Sequence, residues 1–256
     1  EYISSIEANE LTHEYLSEFY ELITILKPRL NISFDRIGRD NDGGYIMLNE
    51  FSKGKIAYSF GISGDVSWDA DMVSRGYDIF MYDHTIDELP QNNNHFHWCK
   101  WGVADSINHS SDLDTLENII KKNGHDNEKH MILKMDVEGA EWGALQLTNS
   151  ETLNKFDQMV FEFHDCVKTK NRELYLDILK KISKTHQCVH VHINNYSKIY
   201  MVNGINFGDC IEVTFVNKNM CEFEKYDSTY SLPIDLDQPC SPVFPEVILG
   251  RQYIDT

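Results

Sequence analysis

An α/β fold around a mostly parallel sheet is what this sequence predicts, and three observations predict it. Short apolar runs recur at 56–60, 78–83, 131–136 and 158–164, and three of the four end on an acid or a histidine. Segments with helical apolar spacing lie between or after them, at 67–75, 112–123, 140–147 and 171–184. Glycine and Asx residues punctuate the joints. Strands alternating with helices imply βαβ units, which build a parallel sheet with right-handed crossovers.

Taken in order, residues 8–27 predict an amphipathic helix. Leu11, Tyr15, Phe19, Leu22, Ile23 and Leu26 recur at roughly helical spacing, and Pro28 ends it. Residues 36–45 form a turn before a short strand at 45–48. The strand at 56–60 opens the wound part, 95–103 makes its third strand and 131–136 its fourth. The runs 189–193 and 211–216 follow each other without a long helix between them, which predicts an antiparallel edge strand. Residues 220–256 carry several prolines and little periodicity, so they predict an extended tail that wraps the domain or covers its site. The whole is expected to be Rossmann-like and doubly wound, with an N-terminal helix and a C-terminal tail.

Composition excludes some functions. The formal net charge is −18, and no basic run exceeds two residues. A general nucleic-acid binder or a protein of anionic membrane surfaces needs the opposite balance. Arg36, Arg39, Lys100 and Lys134 remain as local cations for an acidic substrate. No stretch approaches the length of a membrane-spanning helix and no signal-peptide pattern opens the sequence. Cys99, Cys166, Cys188, Cys210, Cys221 and Cys240 form no CxxC pair. Buried free thiols in a reducing cytoplasm are expected.

In open α/β sheets, ligands bind outside the carboxyl ends of the strands. After the first strand stands Gly61-x-x-Gly64-Asp65, where glycines allow close backbone approach to a ligand. It lacks the GxGxxG spacing of a dinucleotide site. Asp83 ends the next strand about twenty residues on, where nucleoside-binding folds place an acid for ribose hydroxyls. Dehydrogenases and methyltransferases share both features.

The segment Leu133-Lys134-Met135-Asp136-Val137-Glu138-Gly139-Ala140-Glu141 is more specific. It resembles the strand-four motif of the FkbM-like methyltransferases, which use S-adenosylmethionine and often act on sugar hydroxyls. Asp42-Gly43-Gly44-Tyr45 resembles a segment before the first strand in one branch of that family. Residues 58–62 and Asp83 resemble its cofactor loop and ribose acid, and residues 162–164 and 190–195 its later strand ends. The likeness covers about 35–218. Together with the patterns above, it divides the chain into a helical segment at 1–34, a methyltransferase domain at 35–219 and a tail at 220–256. It also implies a cofactor set of Asp42, Gly43, Tyr45, Gly61, Gly64, Asp65, Asp83, His84 and Asp136. Ile193 departs from the pattern, which has a small residue there, and is expected to narrow the site beside His192.

Methyl transfer to a hydroxyl needs an aligned acceptor and a group to take its proton. The expected catalytic residues are Asp136, Glu162, His164 and His192, with His164 or His192 as base. Glu162 and His164 share one strand face, as do His190 and His192. Asp136, Glu162, His164 and His192 are also ligand types for Mg²⁺, Mn²⁺ or Fe²⁺. Glu138 and Glu141 are expected to serve a helix start, and Trp68, Trp98, Trp101 and Trp142 to pack. The predicted function is O-methylation of a sugar or nucleotide-linked sugar in bacterial-type surface-glycan biosynthesis, in a chain that could self-associate. A nucleotide-dependent oxidoreductase, a metal-dependent hydrolase or oxygenase on the Glu/His strand ends, and a silent sugar-binding module are the alternatives.

Overall fold

The computed structural model describes residues 13–202 and 204–254. Helix α1 (His13–Leu22) leads to a short strand, β1 (Lys27–Pro28), and a hairpin of β2 (Phe34–Ile37) and β3 (Tyr45–Leu48). The wound part begins with β4 (Ile56–Phe60), α2 (Ser67–Ser74), β5 (Asp78–Tyr82) and β6 (Phe96–Cys99). A small pair, β7 (Gly102–Val103) and β8 (Leu113–Asp114), precedes α3 (Leu116–Lys122). Then come β9 (Met131–Met135), α4 (Glu141–Leu147), α5 (Ser150–Leu153), β10 (Phe156–Phe163) and α6 (Arg172–Ser183). The chain closes with β11 (His186–Ile193), the pair β12 (Ile199–Val202) and β13 (Ile205–Gly208), β14 (Ile211–Asn217) and β15 (Phe223–Glu224).

Seven strands make the central sheet, in the order β11-β14-β10-β9-β4-β5-β6. All neighbours are parallel except β14, which runs against both β10 and β11. The mostly parallel, Rossmann-like sheet is therefore present, with its antiparallel member one place in from the edge. The return from β11 runs through the β12–β13 hairpin with no helix to carry the chain back across a sheet face, and β14 comes back antiparallel.

Both sheet faces are covered, so the central strands read as continuous apolar runs. All five residues of β9 and all eight of β10 are buried. One face carries α1, α4 and α6, and α6 buries Tyr175, Leu176, Ile178, Leu179 and Ile182 against it. Each such side chain contributes roughly 1.5–3 kcal/mol. On the other face lie α2 and the β2–β3 hairpin, whose β3 packs on β10 and β14. Gln158 of β10 fixes that hairpin by bonding both the N–H and the carbonyl of Leu48.

Three expected elements differ. The helix expected over 8–27 ends at Leu22, and residues 8–12 lie outside the described residues. Beyond it the chain is extended, and Ile25 and Leu26 donate their N–H groups to Tyr253 and Cys188. The apolar spacing there reflects packing on the sheet and tail. The expected strand 95–103 breaks at a turn, where Trp101 N–H bonds the Cys99 carbonyl, and Gly102–Val103 joins a separate pair. The helix expected from 112 begins at Leu116, because Thr115 caps it by accepting the Asn118 N–H.

The tail shares the main core. Leu232, Val247, Leu249, Tyr253 and Ile254 belong to the buried cluster that holds α1 and α6. Tyr253 meets Tyr20 edge-on, with ring centroids 4.7 Å apart.

Candidate active site

The sheet order reverses between β4 and β9, so a crevice opens where those two strands end. Gly61 follows β4 and Asp136 follows β9. Asp136 N–H bonds the Phe60 carbonyl at 3.0 Å. A Cβ on Gly61 would lie 1.6 Å from the Asp136 carbonyl oxygen, and Gly61 has φ +80°. Only glycine allows these two strand ends to touch.

The residues of the glycine-loop half are held by backbone. Asp83, almost fully buried, accepts from Ile62 and Ser63 N–H at 2.9 Å each through Oδ2. Its Oδ1 accepts from the Thr85 N–H at 2.8 Å and hydroxyl at 2.6 Å. Burial alone would raise its pKa, but the Ser63, Thr85 and Ile62 donors hold it below the usual aspartate value. Four donors fill about the capacity of a carboxylate. The structure thus gives Asp83 a further duty, shaping the glycine loop, and a ribose diol would have to replace the Thr85 contacts. Asp65 caps the turn into α2 by bonding Ser67 N–H and hydroxyl. Gly64 faces open space, and His84 stands exposed against Gly102.

The turn 42–45 joins this loop to the second half of the crevice. A Cβ on Gly43, at φ +91°, would lie 2.5 Å from Asp65 Oδ2. Tyr45, fully buried, donates its hydroxyl to Asp136 Oδ2 at 3.0 Å. Asn41, Ser63, Glu138 and Asp165 hold left-handed backbone in the loops around this point. Such conformations cost energy and cluster at functional sites.

Beyond Asp136 the site is a knot of acids and histidines. β10, β14 and β11 set Glu162, Glu212 and His192 side by side in register. His192 Nδ1 meets Glu212 Oε2 at 2.6 Å, and its Nε2 meets Glu246 Oε1 at 3.1 Å. His164 Nδ1 meets Glu141 Oε1 at 3.2 Å, and its Nε2 lies 3.3 Å from Glu162 Oε1. Burial alone would depress both imidazoles, but the surrounding carboxylates raise both well above the usual histidine value. Neither ring has a free nitrogen, so neither histidine is placed to take a proton from a hydroxyl. Asp136 is better placed: it is part-exposed, and Tyr45 engages one oxygen.

Glu162 lies buried among like charges. Burial first, then Asp136 and Glu212, push its pKa up. It accepts from Asn194 and from the Cys210 thiol, while Glu212 accepts from the Cys240 thiol. Asp42 completes the group, with one oxygen of each of Asp42, Glu162 and Glu212 within 4.8 Å of the others. At an effective dielectric of about 20, an ionised pair at such a distance repels by roughly 3–4 kcal/mol.

Several expected roles change. The set Asp136, Glu162, His164 and His192 is not one cluster. Glu162 groups with His164 and Cys210, Asp136 with Glu138 and His164, and His192 with Glu212 and Cys240. The cations reserved for an acidic substrate are engaged. Lys134 is buried and donates to the Gly61 carbonyl at 2.8 Å. Arg36 and Arg39 bond backbone carbonyls of residues 39–42, and Lys100 pairs with Asp87. Ile193 does not narrow the site. It points to the face opposite His192 and packs where a Gly208 Cβ would stand, 2.5 Å from its Cγ2. Glu141 is fully buried and bonds Val137 and Gly139 N–H, so it shapes the turn after Asp136 and also holds His164. Trp142 packs, stacked 4.2 Å from both Phe163 and Tyr175.

Glu212, Cys210, Cys240 and Glu246 were missed. Glu212 had a signal: it is an acid inside an apolar run that reads as a buried strand. Cys240 and Glu246 had none, because the tail has no period to place them. The tail reaches the site through His190–Asp237 at 2.9 Å, through Glu246, and through Asn195, whose amide bonds the carbonyls of Ser241, Phe244 and Pro245.

A family described as a methyltransferase domain matches residues 17–218. The chain belongs to this methyltransferase family. The match covers the whole seven-stranded sheet and every strand end described above, and leaves the tail outside it. Among curated proteins no match is found. The crevice fits the sulfonium donor usual for such enzymes. Gly64 leaves the loop open to a ligand, and the excess of carboxylates over cations beyond Asp136 suits a positively charged group. Among the described residues, no helix is long and apolar enough to cross a membrane, and all six cysteines are free thiols.

Proposed function

We propose that this protein transfers the methyl group of S-adenosylmethionine to a hydroxyl of a sugar. The observation that carries the reading is the junction at Gly61 and Asp136, in a chain whose family is methyltransferase. It sets a glycine loop open to a nucleoside against a part-exposed carboxylate. The family match also sets aside the oxidoreductase and hydrolase alternatives.

Bound S-adenosylmethionine supplies a methyl carbon already activated by the sulfonium charge, and leaves as the neutral thioether. The chain does the rest. Asp65, Asp83 and the 42–45 turn hold the loop that receives the nucleoside. Asp136 takes the acceptor's hydroxyl proton while the acceptor oxygen bonds the methyl carbon and the C–S bond breaks. Tyr45 orients Asp136 from behind. His164 and His192 act as fixed cations that keep Glu162 and Glu212 in place.

Sugar hydroxyls suit a wall of carboxylates, which accept hydrogen bonds from diols. A phosphate does not suit it, since the nearby cations are engaged. The acceptor is therefore an unlinked or glycan-borne sugar in preference to a nucleotide sugar, and not a nucleic acid. The FkbM-like motifs at 133–141 and 42–45 support the same substrate class. Incubation with methyl-labelled S-adenosylmethionine and panels of free and nucleotide-linked sugars, read by mass spectrometry, tests this. Labelled sugar is expected, and Asp136→Asn should abolish it while S-adenosylhomocysteine still binds. Label on nucleotide sugars alone, or full turnover by Asp136→Asn, contradicts the proposal.

A further inference from the structure

Proton transfer to Asp136 leaves one arrangement unexplained. Three carboxylates from three elements face one another under the tail. Asp42 comes from the turn before β3, Glu162 from the end of β10 and Glu212 from the start of β14. Glu162 and Glu212 are direct cross-strand partners, a position where like charges destabilise a sheet. Glu162 is only 5% exposed, and its Oε2 is buried with no hydrogen-bond partner. A buried carboxylate oxygen without a donor is costly, and a bound cation is one group that satisfies it.

We propose that Asp42, Glu162 and Glu212 bind one divalent cation of the hard, oxygen-seeking class, Mg²⁺ or Mn²⁺. The available donors select that class. Both ring nitrogens of His192 are bonded to Glu212 and Glu246, and those of His164 face Glu141 and Glu162. The Cys210 and Cys240 thiols donate to Glu162 and Glu212. An ion that seeks nitrogen finds every nearby imidazole nitrogen facing a carboxylate, and one that seeks thiolate must first displace protons that the carboxylates hold, whereas three carboxylate oxygens completed by water match Mg²⁺ or Mn²⁺. The site keeps Glu162 from the ligand set expected from sequence, and replaces Asp136, His164 and His192 with Asp42 and Glu212.

Asp42 and Tyr45 share one turn, so the cation stands close to Asp136. There it chelates neighbouring hydroxyls of the acceptor sugar and lowers the pKa of the one that reacts. That role rests on the function proposed above; the binding itself does not.

The test is titration of Mn²⁺ into the full chain, followed by electron paramagnetic resonance. S-adenosylhomocysteine binding is measured by calorimetry on the same preparation. One Mn²⁺ per chain is expected, displaced by Mg²⁺ and accompanied by a rise in Tm. Asp42→Asn removes a part-exposed like charge, so it should keep the circular dichroism spectrum yet weaken Mn²⁺ by at least about 10–100-fold. Glu212→Gln should weaken it similarly. Absence of stoichiometric Mn²⁺ binding, or binding unchanged in both variants, overturns the site. No metal binding by the unmodified chain, with S-adenosylhomocysteine still bound, overturns the cation alone. Metal binding without S-adenosylhomocysteine binding upholds the cation and counts against the methyltransferase reaction.

Discussion

Asp83, at the end of β5, takes four hydrogen bonds from Ile62, Ser63 and Thr85, whereas Glu162, at the end of β10, keeps a buried oxygen with no donor at all. The first half of the crevice is finished by its own backbone. Its loop is locked before any ligand arrives, which lowers the ordering cost of binding. The second half is built from side chains on separate strands and the tail, and its acids outnumber its histidines. It gains most from a ligand that brings positive charge. Rigidity belongs to the glycine-loop half, where the proposal seats the nucleoside, and unmet charge to the half where it places methyl transfer.

The largest expected effect breaks the join between the halves. Gly61→Ala puts a Cβ 1.6 Å from the Asp136 oxygen, at a φ that itself costs about 1–2 kcal/mol for a side-chain-bearing residue. The strand ends must part, so denaturant melts should show a loss well beyond that figure, with S-adenosylhomocysteine binding gone. A near-native melt would mean that the junction is not tight.

Next comes Asp83→Asn, which weakens the loop lock by about 2–3 kcal/mol, because hydrogen bonds to a charged group are lost or weakened. Its pH dependence is signed. The folded pKa lies below the unfolded one, so the stabilisation is full above the ordinary aspartate value of about 3.9 and disappears as pH falls through the depressed folded value. The gap between wild type and variant should therefore close in acid. A gap that persists unchanged into strong acid would assign the stability to shape, not charge.

Asp237→Ala sharpens the other half. His190 already has one buried nitrogen without a partner, and the change leaves both so. A cost of about 1–3 kcal/mol is expected. Limited proteolysis should then cut residues 225–250 faster while the sheet stays protected. The smallest effect is Tyr45→Phe, which removes one hydrogen bond to Asp136. A severalfold fall in kcat with S-adenosylhomocysteine affinity unchanged is expected, and a change in affinity alone would move Tyr45 to the cofactor side.

The same contrast explains what could be read from the sequence. Gly61, Asp83 and Asp136 stand at the ends of apolar runs with helices between, so alternation and strand-end position locate them. The partners across β10, β14 and β11 depend on register and on an inserted antiparallel strand, which no local pattern fixes. Glu212 is legible only as an acid inside an apolar run, not as a partner of His192, whose two carboxylates, Glu212 and Glu246, lie 20 and 54 residues away in the chain. The end of the first helix is hidden for a related reason: Ile23, Ile25 and Leu26 are apolar for the sheet and tail they pack on.

The proposed reaction requires the first half of the crevice to receive the adenosyl group of a methyl donor. Calorimetric titration of the unmodified chain with S-adenosylhomocysteine and, separately, with NAD tests this most directly. Stoichiometric binding of S-adenosylhomocysteine, weakened in Asp83→Asn, is expected, with none of NAD. Binding of NAD without S-adenosylhomocysteine would contradict it.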